Sequence, residues 1–155
     1  GQARKAHERD PGLLIELLEE YKMKEVSAFL KENGKGFLAT VEEGKPRVRP
    51  FQYMLEEQGR FYFCTSNAKD VYQQLKAQPF VEFSSMSPAF AWVRLRGEIH
   101  FSQDATIKTK IIEANPLVKS LYKTPDNPVF EIFYLEHGQA ILADFSGKPQ
   151  REFEF

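Results

Sequence analysis

Three short segments hold residues whose types and spacing suit chemistry. Arg47-Val48-Arg49-Pro50-Phe51 sets two arginines two positions apart. On a strand this spacing puts both guanidinium forks on one face, about 7 Å from each other. Such forks match phosphate oxygens, and a solvated strand face paired with nearby Glu is the other reading the spacing allows. Pro50 lacks an N–H, which marks a sheet edge or a point where the strand meets something other than a neighbouring strand. Thr65-Ser66-Asn67-Ala68-Lys69 offers two hydroxyls at a strand end, then a helix N-terminus with an ammonium in its first turn. Taken together these groups make an anion pocket; taken singly they are a plain cap and a solvated lysine. The two segments fall on successive strands, so they can converge on one phosphate. In Ala91-Trp92-Val93-Arg94-Leu95-Arg96-Gly97 the single tryptophan shares a face with two arginines. That face can stack on a flat, negatively charged ring system, or fill a barrel or a subunit interface.

Other chemistries lack their residues. His7, His100 and His137 lie far apart with no metal-binding spacing, so no protein-built zinc site is expected. Neither a nucleophile elbow nor a nucleotide-binding glycine loop occurs, and no side chain stands out as a catalytic group. Demanding chemistry would then come from a borrowed cofactor. The lone cysteine, Cys64, excludes an internal disulfide and fits a reducing compartment. It is either a redox thiol or the filling of an apolar strand. Lys and Arg number 21 against 22 Asp and Glu, a net charge of -1, which gives no surplus for nucleic acid. No apolar run approaches the length of a membrane span, and the opening GQARKAHERD has no signal-peptide centre. A soluble cytoplasmic protein is expected, without nucleic acid or membrane partners. The absence of an initiating Met suggests a processed N-terminus.

These residues need a scaffold, and 155 residues suffice for one domain. Asp10-Pro11 is a helix start, and the spacing of Leu13, Leu14, Leu17, Leu18 and Tyr21, then Val26, Phe29 and Leu30, predicts one or two helices over 10–33. From Gly36 the period changes to two. GFLATVEE, RVRPFQYMLEE and RFYFCTS, separated by short glycine-bearing gaps, read as an antiparallel meander. Asn67 is expected to cap a short helix that Pro79 ends. FVEFSSM and FAWVRLRGEIHFS are strands, Asp104 opens a helix that Pro116 interrupts, and LVKSLYK adds a helical turn or two. VFEIFYLEHG and QAILADFS read as two last strands before an alternating REFEF tail. About six closely spaced strands with short helices argue for a small antiparallel barrel, which 14 Phe and six Tyr can fill.

GFLAT, GKPRVRPF, FYFCTSNAKDVYQQLKAQPFVEFSS and WVRLRGEI, in this order and spacing, resemble the pyridoxamine-phosphate-oxidase-like FMN-binding split barrels, closest to the branch of nitroimidazole-resistance reductases. The resemblance runs from about Met23 to Phe145. It implies a mainly β (α+β) fold, a six-stranded antiparallel split β-barrel with short flanking helices, in a domain over 23–155 preceded by an N-terminal helical extension over 1–22. It further implies FMN as cofactor, in a homodimer with FMN at the interface. Arg49, Thr65, Ser66 and Lys69 would hold the phosphate with help from Arg47. Pro50, Phe51 and Gln52 would lie along the ring edge, Cys64 beside it, and Trp92 and Arg94 would reach the ring, often from the partner subunit. The activity implied is transfer from reduced flavin to a small electron-poor acceptor of the nitro or quinone class. Tyr53, Trp92 and the 113–128 segment would select that substrate. A non-catalytic flavin- or haem-binding stress module is the alternative, and haem would need His100 or His137 as ligand. The chain departs from true pyridoxamine phosphate oxidases in its end, GKPQREFEF, and from the nitroimidazole branch in carrying Cys64 where a His is common.

Overall fold

A computed structural model describes residues 10–155; His7 and the opening segment lie outside the described residues. Asp10 accepts a hydrogen bond from the Gly12 amide at 3.0 Å and Pro11 takes the first helical position, which starts α1, Pro11–Glu32. This is one unbroken helix. Its packing changes along its length: Leu13, Leu14, Leu17, Leu18 and Tyr21 are exposed, whereas Val26 and Leu30 are fully buried. The expected boundary after residue 22 therefore falls inside the helix.

Strands β1, Lys35–Glu42, β2, Lys45–Glu57, and β3, Arg60–Ser66, form the expected meander. Its hairpins turn at Glu43-Gly44 and Gln58-Gly59, all four with positive φ. Two successive left-handed residues match the right-handed twist of the flanking strands, and glycine reaches that region without a Cβ penalty. Helix α2, Asp70–Ala77, leads to β4, Phe80–Met86, and β5, Trp92–Ser102; α3, Ala105–Ala114, and α4, Pro116–Tyr122, lead to β6, Phe130–Ala143, and β7, Arg151–Glu154. The order β3-β2-β1-β4-β5-β6-β7, with β3 also paired to β6, closes six antiparallel strands into a barrel and leaves β7 as an added edge.

Two expectations about elements are corrected. The last two strands are one, because Gly138 pairs with Gly97 inside the sheet instead of turning the chain. A Cβ at Gly138 would meet the Arg96 carbonyl oxygen at 2.1 Å, so the glycine permits a close strand approach. Asn67 does not cap α2 either. Its amide donates to the Pro128 carbonyl at 2.8 Å and to Glu131 at 3.1 Å, and the helix starts three residues later with Lys69 at the N-cap.

Phe61, Phe63, Phe83 and Phe133 fill the barrel together with Leu38, Leu75, Leu95 and Leu135. Each such side chain contributes about 1.5–3 kcal/mol of burial. A second cluster, Tyr62, Ile111, Ile112, Val118, Tyr122, Phe130 and Ile132, lies outside β3 and β6 under α3 and α4.

The barrel is not closed along its whole length. β2 pairs with β3 only from Tyr53–Phe63 to Glu57–Arg60, with a bulge between Tyr53 and Leu55. Beyond it, Lys45–Gln52 pairs with β1 alone, and Cys64–Ser66 pairs with β6 alone. The arginine and hydroxyl segments thus flank a split in the barrel wall. Pro50, without an N–H, sits on the half of β2 that has one neighbour.

Candidate functional site

Alternation along β2 sends Arg49, Phe51 and Tyr53 toward the barrel interior, and Val48, Pro50 and Gln52 outward. Phe51 lies 6.2 Å from Phe63 and 5.9 Å from Phe133, ring centre to ring centre, so its side chain closes the core at the split. Tyr53 is buried against Phe61 and Phe63, and burial pushes its phenol pKa up. The period of two places Tyr53 on the inward face of β2.

Arg49 turns toward α2 and is held by three neutral acceptors. Its Nη1 donates to the Thr40 hydroxyl at 2.7 Å and to the Leu38 carbonyl at 3.3 Å, and its Nη2 donates to Gln74 Oε1 at 2.5 Å. The Thr40 hydroxyl in turn donates to Gln74 Oε1 at 2.5 Å, and Gln74 Nε2 donates to Glu42 at 2.9 Å. Thr40 and Gln74 are buried. Partial burial lowers the Arg49 pKa, with Asp70 and Glu42 acting in the opposite sense, and a guanidinium stays charged throughout. No carboxylate of the described residues pairs with it, whereas Arg47 lies 3.7 Å from Glu42. Two arginines on one strand face thus have different status, one paired and one not.

Across the split, Thr65 shares the inward face with Phe63. Its hydroxyl is fully buried and has no hydrogen-bond partner. A buried hydroxyl left in that state costs about 1–3 kcal/mol, and Ser85 of β4 is the other such hydroxyl among the described residues. Ser66 Oγ accepts from the Ala68 amide at 3.2 Å, and the Lys69 amide donates to the Ser66 carbonyl at 3.1 Å. This tight turn presents Lys69, exposed, ahead of the amides of α2. Cys64 points the other way, into the second cluster. Burial raises its thiol pKa to about 12 against a smaller lowering by Lys69, so the thiol is protonated at neutral pH and does not join the Thr65 side of the strand.

Trp92 and Arg94 lie on the outer face of β5. Arg94 pairs with Glu82 at 2.8 Å, and the Trp92 ring packs 4.9 Å from Phe145. With Lys35, Phe37 and Met86 they line an apolar cleft of about 640 Å³. Exposed Phe37, Val48, Phe80, Met86 and Phe145 extend this surface over one face of the β2-β1-β4-β5 sheet. The structure therefore brings Arg49, Phe51, Thr65, Ser66 and Lys69 to the split, and puts Trp92 and Arg94 on the opposite side of the sheet. His100, stacked against Tyr134, and His137 are exposed on β5 and β6. Among the described residues, no three His, Cys, Asp or Glu gather for a metal.

Thr40, Gln74 and Glu42, which motif reading missed, form the hydrogen-bonded surroundings of Arg49. A signal existed for one of them: Gln74 sits between Val71 and Leu75 on the apolar face of a short helix, where a polar residue must find a buried partner.

The sequence model of the family described as pyridoxamine 5'-phosphate oxidase matches residues 23–136. No curated protein matches the chain. Among solved structures, a NimC/NimA family protein from Clostridium acetobutylicum is 34% identical, with a TM-score of 0.78, 86% of this chain and 92% of that one covered. A heme binding protein from Mycobacterium smegmatis, 20% identical, has a TM-score of 0.71 over 84% of this chain and 56% of its own. A pyridoxamine 5'-phosphate oxidase-related FMN binding protein from Nostoc punctiforme, 19% identical, has a TM-score of 0.64 over 83% and 87%. The last two share the fold.

Proposed function

The chain belongs to the pyridoxamine 5'-phosphate oxidase family, and from that membership we propose that it is a cytoplasmic FMN-dependent oxidoreductase, active as a homodimer, that reduces a small electron-poor acceptor of the nitro or quinone class. The observation that carries this reading is the pairing, across one split, of a guanidinium without a carboxylate partner and a buried hydroxyl without any partner. A phosphate monoester answers both, since its oxygens accept from Arg49, Thr65, Ser66 and Lys69.

When bound, FMN supplies hydride or electron transfer at its flavin ring. The chain's part is to bind, orient and shield. Arg49 and Lys69 hold the phosphate, and Phe51 closes the barrel beneath it. Pro50 and Gln52 run along the open strand edge. In a dimer the exposed apolar sheet face would be covered, and Trp92 and Arg94 of one chain would be carried toward the split of the other. No side chain need act as acid or base.

Arg151–Glu154 folds back as β7 along β6, and Arg151 pairs with Glu25 of α1.

Titration of purified protein with FMN, followed by quenching of flavin fluorescence, tests the proposal. Saturation near one FMN per chain, with reduced protein reoxidised rapidly by a nitro or quinone acceptor, is expected. Absence of FMN binding overturns it. Stoichiometric binding with only slow reaction with oxygen would make the chain a flavin-binding module instead.

A further inference from the structure

We propose that Gln74, locked by Thr40 and Glu42, is a positioning residue that fixes the Arg49 guanidinium while leaving its charge uncancelled for a phosphate. The inference rests on the phosphate reading of the split and adds residues that the three motifs did not contain.

A buried arginine is ordinarily anchored by Asp or Glu, which supplies geometry and neutralises the charge at once. Here the two tasks are separated. Leu38, Thr40 and Gln74 take three of the guanidinium's hydrogen bonds, and all three acceptors are uncharged. Thr40 accepts from Arg49 and donates to the same Gln74 oxygen that Arg49 uses, which closes a triangle of short bonds. The arginine is held from two directions and keeps N–H groups to spare.

The amide of Gln74 could in principle sit either way round. Glu42 decides it. Its carboxylate accepts from Gln74 Nε2 at 2.9 Å, so the amide oxygen must face Arg49. A flipped amide would put NH₂ against the guanidinium and oxygen against the carboxylate, losing both bonds. The other Glu42 oxygen lies 3.7 Å from Arg47. Glu42 is thereby engaged by Arg47 and Gln74 and forms no ion pair with Arg49, on which it and Asp70 act only through space, so one arginine of the pair has a direct carboxylate partner and the other has none. The strand register makes this possible, since Thr40 pairs with Arg47 and Leu38 with Arg49.

A charge-sparing anchor differs from a merely structural hydrogen bond in a way that can be measured. Gln74→Glu is nearly isosteric, keeps an acceptor facing Arg49 and cancels the charge, but gives up the N–H that bonds Glu42, so it is made together with Glu42→Gln, which restores a donor there; Gln74→Ala loses the acceptor and keeps the charge. Affinities for FMN and for riboflavin, which has the same ring and no phosphate, are measured at pH 8 by fluorescence quenching in both variants, with thermal unfolding as a control for folding. Q74E/E42Q should weaken FMN binding about tenfold or more, and Q74A about threefold, with riboflavin affinity unchanged in both. If Q74A costs as much as Q74E/E42Q, or if riboflavin binding falls in step, Gln74 is structural and the inference fails. If the unaltered protein binds FMN no tighter than riboflavin, the phosphate reading itself fails and takes the inference with it. Should Q74E/E42Q not fold, Thr40→Val tests the anchor: a selective loss of FMN affinity supports it, and an unchanged ratio to riboflavin overturns it.

Discussion

The two faces of the β2-β1-β4-β5 sheet are finished to different degrees. On the inward face at the split, polar groups are tied to one another inside one chain: Arg49 to Thr40 and Gln74, Gln74 to Glu42, Glu42 to Arg47. Among the described residues two buried hydroxyls are left over, Thr65 of β3 at the split and Ser85 on the inward face of β4. On the outward face Phe37, Val48, Met86 and Phe145 are exposed, and the cleft beside Trp92 is apolar. On the proposed reading the first face would take a small anion and the second a large surface. If the split holds a phosphate, as proposed, that corner is shaped within one chain, whereas Trp92 and Arg94 on the far side of the sheet would reach it only from a second copy.

This contrast is broken most directly at the corner. Arg49→Ala together with Lys69→Ala should cost about 3–6 kcal/mol of FMN affinity, since each charge-assisted phosphate bond is worth about 1.5–3 kcal/mol. Riboflavin affinity should change little, whereas the unfolding temperature should fall modestly, because Arg49→Ala removes the hydrogen bonds to Leu38 and to buried Thr40 and Gln74 while Lys69 is exposed. Equal losses for both flavins in a titration would mean that the corner is scaffold and not a phosphate site.

A smaller effect is expected from the outer face. Phe37 pairs with Pro50 across β1 and β2 and with Ser84 across β1 and β4, near the middle of the exposed surface. Phe37→Asp leaves the monomer's core untouched and puts a charge where the proposed dimer would bury one, at a cost of about 2–4 kcal/mol of association. Sedimentation should show monomers at concentrations where the unaltered chain is dimeric, with FMN held more loosely while the corner is intact. A variant that stays dimeric would move the interface elsewhere.

What could be read in advance follows the same division. Period-two runs and glycine turns specify strands locally, so β1 to β5 were legible, as was the closure into a small barrel. Gly138 misled because a glycine that admits a neighbouring backbone looks, in sequence, like one that makes a turn. Asn67 misled because its capping chemistry is spent on Pro128, some sixty residues away in sequence. At the site, Arg49 and Lys69 stood out as charges in a pattern, while Thr40 and Gln74 did not. Their role exists only once β1, β2 and α2 are packed together. The exposed Leu13, Leu14, Leu17, Leu18 and Tyr21 were legible as a helical stripe, but not as one that the described chain leaves uncovered.

The smallest effect is expected at Cys64, which lies on β3 against the second cluster and belongs to neither face. Its thiol faces the second cluster, and burial raises its pKa from 9.0 to about 12. The unfolded chain gives up this proton near pH 9 while the folded chain keeps it. In that window the folded state binds more protons, and stability falls as pH rises. Each pH unit between about 9 and 12 removes up to about 1.4 kcal/mol from this group. Tyr122, raised from 10.0 to about 12 by burial and then by Cys64, steepens the fall in the upper part of that window. Denaturant unfolding of the unaltered chain and of Cys64→Ala at pH 8 and pH 10.5 separates the contributions. The variant should be less stable at pH 8, where a buried side chain has been cut back, and should lose less on going to pH 10.5. FMN affinity should be the same in both, since the thiol points away from Thr65. A drop in FMN affinity in Cys64→Ala would bring the thiol back into the site, and equal alkaline losses would mean that the thiol is hydrated.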